Sequence, residues 1–296
     1  MIISKSFGSR AFDAALIVIL TVISAVTLFP ILHTVAVSFS NPAIAGSGTI
    51  TVLPKGLSLS AYTRVLDDKQ FFSSLWVSVE RIVITLALGT GVTYLAAFPF
   101  SRETRDFRMR NVYLWLLLIV SSFNGGIIPG YMNAKNLGLY DNFWILVLPY
   151  LFNFGNILLV FNFWRNLPKE LDDCSNIDGA GPWTKLTHIY FPLSLPVLAT
   201  ISLFTIVNTW NEYFQAIVFI NNPHLMPLQT YLQQIVVTID PTRPEDISKA
   251  GGSLSEISNQ TLDAAKISLT MLPILFVYPF LQRYFIHGIT LGSVKE

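Results

Sequence analysis

Residues 167–196, LPKELDDCSNIDGAGPWTKLTHIYFPLSLP, form a polar interruption between two long apolar runs. Pro168 suits the first turn of a helix, because the N–H it lacks would have no partner there. Glu170, Asp172 and Asp173 follow, and carboxylates at a helix start meet the positive end of its dipole. At about 100° per residue, Leu167, Leu171, Cys174 and Ile177 fall on one stripe, with Lys169, Asp172, Asp173 and Asn176 facing away. Gly179, Gly181 and Pro182 then end the helix. The pattern predicts a short amphipathic helix between two apolar spans, a shape that another protein can hold.

The flanking sequence extends this reading. Of the 296 residues, 52% are hydrophobic and only 12% charged, and the apolar residues lie in long runs, which points to membrane-spanning helices. Six spans are predicted, at about 11–37, 75–98, 112–130, 143–163, 192–217 and 267–285, giving an all-α polytopic membrane protein. The first run follows Lys5 and Arg10 as a signal peptide would. It exceeds the roughly 7–15 residues of a signal core, and no Ala-x-Ala site follows, so it is read as a retained helix. Residues 41–74 and 221–263 are the long polar connections, and PLQTYLQQIVV in the second has the pattern of a short surface helix.

Six spans place both termini on one side. Putting that side in the cytoplasm gathers Lys5, Arg10, Arg102, Arg105, Arg108, Arg110, Arg165, Lys169, Lys185, Arg283 and Lys295 there. Lys55, Arg64, Lys69, Lys135, Arg243, Lys249 and Lys266 remain outside, the asymmetry that the positive-inside rule requires. The central helix is therefore expected on the cytoplasmic side. A net charge of +1 supplies no basic surface for nucleic acid, and a single cysteine excludes an internal disulfide.

Asp173-Cys174-Ser175-x3-Gly179-x9-Ile189-x-Phe191-Pro192 resembles the EAA loop of ABC importer permeases, Glu-Ala-Ala-x3-Gly-x9-Ile-x-Leu-Pro. With PKEL, IDGA and FPLSLP, the likeness is to the carbohydrate-uptake, maltose-type branch, and within it to the second permease of oligosaccharide and polysaccharide importers. It extends in weaker form over nearly the whole chain. Asp173, Cys174 and Ser175 depart from Glu, Ala and Ala, and the shorter Asp alters the reach of the carboxylate.

The resemblance implies a type I ABC importer permease fold, a single transmembrane domain over 1–296 with a coupling loop at 167–191. Glu170, Asp172, Asp173, Cys174, Ser175, Asp178, Gly179, Ala180 and Pro192 would serve ATPase coupling, with Asp173 facing an ATPase arginine. It further implies a non-catalytic subunit without a cofactor of its own, ATP and Mg being held by a separate ATPase. The implied partners are that ATPase, a second homologous permease forming a heterodimer, an extracytoplasmic substrate-binding protein meeting the 221–263 segment, a carbohydrate substrate and membrane lipid. The implied location is the bacterial cytoplasmic (inner) membrane.

Polar residues inside the spans have two readings. Asn208, Trp210, Asn211 and Glu212 interrupt the fifth span, where a carboxylate is costly unless it faces a wet cavity or a partner. By resemblance, a Trp-Asn-acidic element lies near the translocation path of sugar permeases; the alternative is bonding between neighbouring helices. Asn153 and Asn156 are further path candidates, read chiefly, with Asn124, as interhelix bonds. Glu80 and Arg81 are read as an interfacial or intrahelical charge arrangement. Gly125, Gly126 and Gly130 permit close packing or a kink.

Other chemistries find little support. No Gly precedes a Lys, so the phosphate loop is absent. His33, His188, His224 and His287 are scattered, and no G-x-S-x-G elbow occurs. An enzyme acting on lipid or glycan precursors has no visible centre, and an ion-coupled secondary transporter would have only Glu80, Arg81 and Glu212 to work with. An ABC permease for an amino acid or peptide stays open, since IDGA and FPLSLP lie in the coupling loop and not at a ligand.

Overall fold

Helices are the only regular elements in the computed structural model, which describes residues 7–238, 260–277 and 279. In chain order the principal ones are α1 (Phe7–Ser38), α2 (Lys69–Ser101), α3 (Arg110–Ser122), α4 (Ile127–Asn136), α5 (Phe154–Arg165), α6 (Glu170–Ile177), α7 (Leu195–Asn211), α8 (Phe214–Phe219), α9 (Leu228–Thr238) and α10 (Gln260–Val277). Helix α9 covers the PLQTYLQQIVV segment. Residues 239–259 of the second long connection, the sixth span beyond 277 with Arg283 (residue 279 excepted), and the tail with Lys295 lie outside the described residues.

Four helical segments are long and apolar enough to cross a membrane: Ala11–Ser38, Lys69–Ser101, Phe143–Arg165 and Gln260–Val277. Two bent pairs qualify if each is taken as one span, which brings the number among the described residues to as many as six. Helix α2 has 33 residues, or about 50 Å at 1.5 Å per residue, and so exceeds a hydrocarbon layer of about 30 Å.

Two expected spans are not straight helices. The third, 112–130, breaks after Ser122, and α4 leaves α3 at 107°. The turn passes through Gly126 at φ 87 and ψ 177, a backbone region essentially closed to residues with a Cβ. The fifth, 192–217, is bent by 78° between Pro182–Leu193 and Leu195–Asn211. Pro192 and Pro196 flank that bend, each lacking the N–H that continues a helical ladder. The turns just before Pro192 are widened into a π-helix at Lys185–Tyr190; in a regular α-helix the proline ring would meet the His188 carbonyl. The α-helix then stops at Asn211, because Glu212 takes an extended ψ of 121.

The chain divides into two compact units, Met1–Lys69 with Gln234–Leu272 and Gln70–Gln233 with Pro273–Glu296. In the first, Ala36, Val37, Ala45, Ile50 and Ala264 form a small core. The chain after α1 folds back on itself, Ser58 donating its N–H to the Phe39 carbonyl (2.9 Å) and Asn41 to that of Lys55 (3.1 Å). Lys266 Nζ meets Asp68 Oδ2 at 2.6 Å. Between Phe12 and Leu32 the large apolar side chains of α1 face outward.

Apolar clusters organise the described part of the second unit. Tyr94, Ala97 and Phe100 of α2 pack with Ile157, Val160, Phe161 and Trp164 of α5, with Leu186 and Tyr190 of the π-helix, and with Val197 and Ile201 of α7. Val77, Ala134, Ile145, Leu146, Ala216 and Ile220 form another. At the first cluster the rings of Tyr94, Trp164 and Tyr190 meet edge to face, Trp164 lying 5.2 Å from Tyr94 and 5.5 Å from Tyr190, a geometry favoured by the ring quadrupole. This cluster is the base on which α6 stands.

Candidate functional site

Helix α6 is short, and both of its ends are explained by sequence. Glu170, Asp172 and Asp173 occupy its first turn. At its end the Ala180 N–H returns to the Ser175 carbonyl (2.9 Å) and the Gly179 N–H to that of Asn176 (3.1 Å). This is the Schellman pair, with Gly179 at the left-handed position, φ 71. The helix therefore stops at Asp178, and Pro182 opens the next turn.

Which side of α6 faces the rest of the chain differs from the expectation of the stripe. Ser175 is buried and Leu171 and Asp172 are half-buried, whereas Asp173, Cys174 and Asp178 are exposed and Ile177 is 86% exposed. Asp172, expected to face away, turns inward because its charge finds partners there. Its Oδ1 accepts from Arg102 Nη1 at 2.7 Å, and its Oδ2 accepts from the Tyr190 hydroxyl at 2.6 Å. Lys185 Nζ lies 3.9 Å from Oδ1 and donates to Asn176 Oδ1 at 2.6 Å. Ile177 and Trp183, 68% exposed, are left outward as apolar groups beside Asp173 and Cys174.

Arg102 is fixed in turn. Its guanidinium carbon lies 4.6 Å from the ring centre of Phe98 and 4.4 Å from that of Tyr190, distances at which ring faces attract a cation. Its carbonyl accepts from Arg110 Nη1 at 2.8 Å. Lys169 and Glu103 pair at 2.6 Å in full exposure. Their mutual hydrogen bond, then their charges, lower the Glu103 carboxyl and raise the Lys169 ammonium from their ordinary values. Exposed pairs of this kind contribute little to stability.

The polar residues expected in the spans separate into local and tertiary roles. Asn153 caps α5, its Oδ1 accepting from the backbone N–H of Asn156 at 3.1 Å, so this side-chain oxygen serves a helix start. Asn211 Nδ2 bonds within α7 to the Val207 carbonyl at 2.9 Å; Asn208 is exposed, and Trp210 is buried. Glu212 binds across helices to Arg81, Oε2 to Nη2 at 3.1 Å.

Arg81 is therefore paired outside its own helix, which corrects the intrahelical reading. It is fully buried; Nε donates to the Leu146 carbonyl (2.9 Å) and Nη2 also to Gln215 Oε1 (2.9 Å). Glu212 Oε1 accepts from the Gln215 N–H at 2.6 Å, and Gln215 Nε2 donates to the Ile145 carbonyl at 2.8 Å. The network ties α2 to the Phe143–Leu146 turn and to the α7–α8 break. Gln215 was not singled out from sequence; its place three residues after Glu212 was the available signal.

A groove of about 850 Å³ runs beside α2, lined by Ala87, Thr90, Gly91, Tyr94, Leu186 and Phe191 among others. Its walls are almost wholly apolar, which does not suit the hydroxyls of a sugar. Among the described residues no group of His, Cys, Asp and Glu is placed to hold a metal ion.

Long apolar helices, two broken spans and a capped acidic helix standing outside them define a polytopic helical membrane protein of the transporter type. Protein LplC of Bacillus subtilis (strain 168) is 36% identical over 288 residues, covering 97% of this chain and 96% of LplC. The polygalacturonan/rhamnogalacturonan transport system permease protein YtcP of the same organism is 36% identical over 287 residues, covering 97% and 99%. A chain in the crystal structure of a bacterial ABC transporter involved in the import of the acidic polysaccharide alginate matches with a TM-score of 0.85 at 29% identity, covering 95% and 98%. No protein-family model matches the chain. The chain belongs to the permease subunits of carbohydrate ABC importers.

Proposed function

We propose that this chain is one of two permease subunits of an ATP-driven importer that carries an oligosaccharide or polysaccharide across the bacterial cytoplasmic membrane. In this reading the chain crosses six times with both termini and α6 in the cytoplasm, supported by the excess of Lys and Arg on that side, and α6 seats in a cleft of a separate ATPase that holds ATP and Mg. A second, homologous permease completes the path, and an extracytoplasmic binding protein delivers the sugar. Closure of the ATPases on ATP tilts the spans through α6, giving alternating access. The observation that carries this reading is the outward face of α6. A helix with three acids in its first turn and a Schellman end presents Asp173, Cys174 and Ile177 to the surroundings while its opposite side is held by its own chain.

Purification of the tagged chain from its host in mild detergent should bring down an ATPase and a second multi-span chain. In vesicles made from that assembly and supplied with the host's binding protein, ATP should drive uptake of trigalacturonate or maltotriose. Asp173→Arg should leave the chain in the membrane but lower uptake by at least ~10-fold, since a like charge facing an arginine costs more than the ~1.4 kcal/mol of one decade. Normal uptake by Asp173→Arg would remove α6 as the contact. Uptake that persists without ATP and collapses with the ion gradient would favour a secondary transporter.

A further inference from the structure

We propose that Asp172 is a positioning residue for transport, a carboxylate that fastens α6 to its own subunit and does not contact the partner. The proposal rests on the reading of α6 as the ATPase-held helix. A helix that is pushed by one protein can move another only if its far side is firmly attached. Helix α6 has eight residues and buries only Ser175 fully, so apolar packing alone cannot supply that attachment.

The side-chain bonds that supply it converge on one group. Asp172 uses both carboxylate oxygens, one on Arg102 and one on the Tyr190 hydroxyl. Arg102 follows directly on the last residue of α2, and Tyr190 closes the π-helix that leads into the bent element before α7. One carboxylate therefore joins α6 to two separate transmembrane elements. The Lys169–Glu103 pair also ties α6 to the chain after α2, but it is exposed. The Lys185–Asn176 bond reaches only the start of the π-helix.

Behind Asp172 the contacts continue without a gap. Arg102 rests against the rings of Phe98 and Tyr190, which themselves meet edge to face. Tyr190 meets Trp164, Trp164 meets Tyr94, and the Tyr94 hydroxyl pairs with Ser194 Oγ at 2.9 Å, at the 78° bend. Packed rings and paired hydroxyls resist compression, so a displacement of α6 reaches the bend. Asp173, one residue on, has no part in this cluster and stays exposed. The two adjacent acids have opposite tasks: Asp173 meets the partner, and Asp172 holds the helix that presents it.

The test uses the assembled importer purified through this chain, with three readouts: capture of the ATPase, amide hydrogen exchange over 170–177, and ATP hydrolysed per sugar taken up. The sugar is trigalacturonate or maltotriose, whichever the wild type carries. Asp172→Asn should still capture the ATPase. Loss of a hydrogen bond to a charged group should speed exchange in α6 by about 10-fold, and ATP spent per sugar should rise at least as much. Asp172→Glu should restore part of both. Arg102→Lys, a second route to the same joint, should reproduce the Asn effects, because an ammonium has neither the planar fork nor the flat face that the guanidinium offers to the carboxylate and the rings.

Unchanged exchange in Asp172→Asn would overturn the proposal. So would faster exchange with an unchanged ATP-to-sugar ratio, which would make the brace structural only. Loss of ATPase capture with unchanged exchange would place Asp172 at the partner contact. Full capture and uptake by Asp173→Arg would instead remove the ATPase-held reading of α6, a failure separate from that of the brace.

Discussion

Arg81 carries a full charge into the interior of α2, and its neighbours show how the fold accommodates it. A charge shut off from solvent inside the protein needs a partner, and Glu212, Gln215 and the Leu146 carbonyl meet it. Removing one member leaves the other charged and buried. Glu212→Leu should therefore lower stability by about 3–5 kcal/mol, whereas Arg81→Met with Glu212→Leu should recover most of the loss. Thermal unfolding in detergent compares the two; equal losses in the single and double variants would deny the pairing. Sequence showed that both residues were anomalous but not that they meet, since they lie far apart in the chain and period and composition carry no information on such contacts. At Asp172 the helical period misled, because it assigns polar residues to the outside. A half-buried arginine and a tyrosine hydroxyl, both bonded to the carboxylate, outweigh that rule at a single position.

At the scale of elements, capping chemistry was legible and bends were only half legible. Gly179 and Pro182 marked the end of α6 because a left-handed C′ position and a proline start each leave a residue signature. Gly125-Gly126 marked a kink without revealing that it turns the chain by 107°, because apolar residues continue on both sides of it. The physical requirement falls on Gly126, at φ 87, and not on Gly125, whose φ is not positive. Gly126→Ala should cost about 1–3 kcal/mol, while Gly125→Ala should stay within about 0.5 kcal/mol. Unfolding midpoints of the two variants decide it; similar shifts would mean that crowding, and not backbone strain, sets the turn. The π-helix before Pro192 was not foreseen. Proline predicts a break in the ladder, but a widened turn and a stop are alternatives that only the surrounding packing resolves.

For the molecule as a whole, composition and run length were enough to place the chain in a membrane, because little else accounts for long runs with so few charges. The number of spans was less secure, since a bent pair and a straight helix share the same hydropathy. Helix α1 turns its large apolar side chains outward from Phe12 to Leu32, and a surface of that length requires lipid or another chain around it. The chain should therefore stay with the membrane pellet through an alkaline carbonate wash and enter solution only with detergent. Release by carbonate alone would contradict the spanning reading.

The outward face of α6 also carries Cys174, exposed and the only cysteine in the sequence. Nature has thus made the chain its own single-thiol variant. A maleimide dye or nitroxide will attach at this one address without prior mutagenesis, and its emission or spectral line shape will register the arrival and departure of whatever presses on that helix in the unaltered protein.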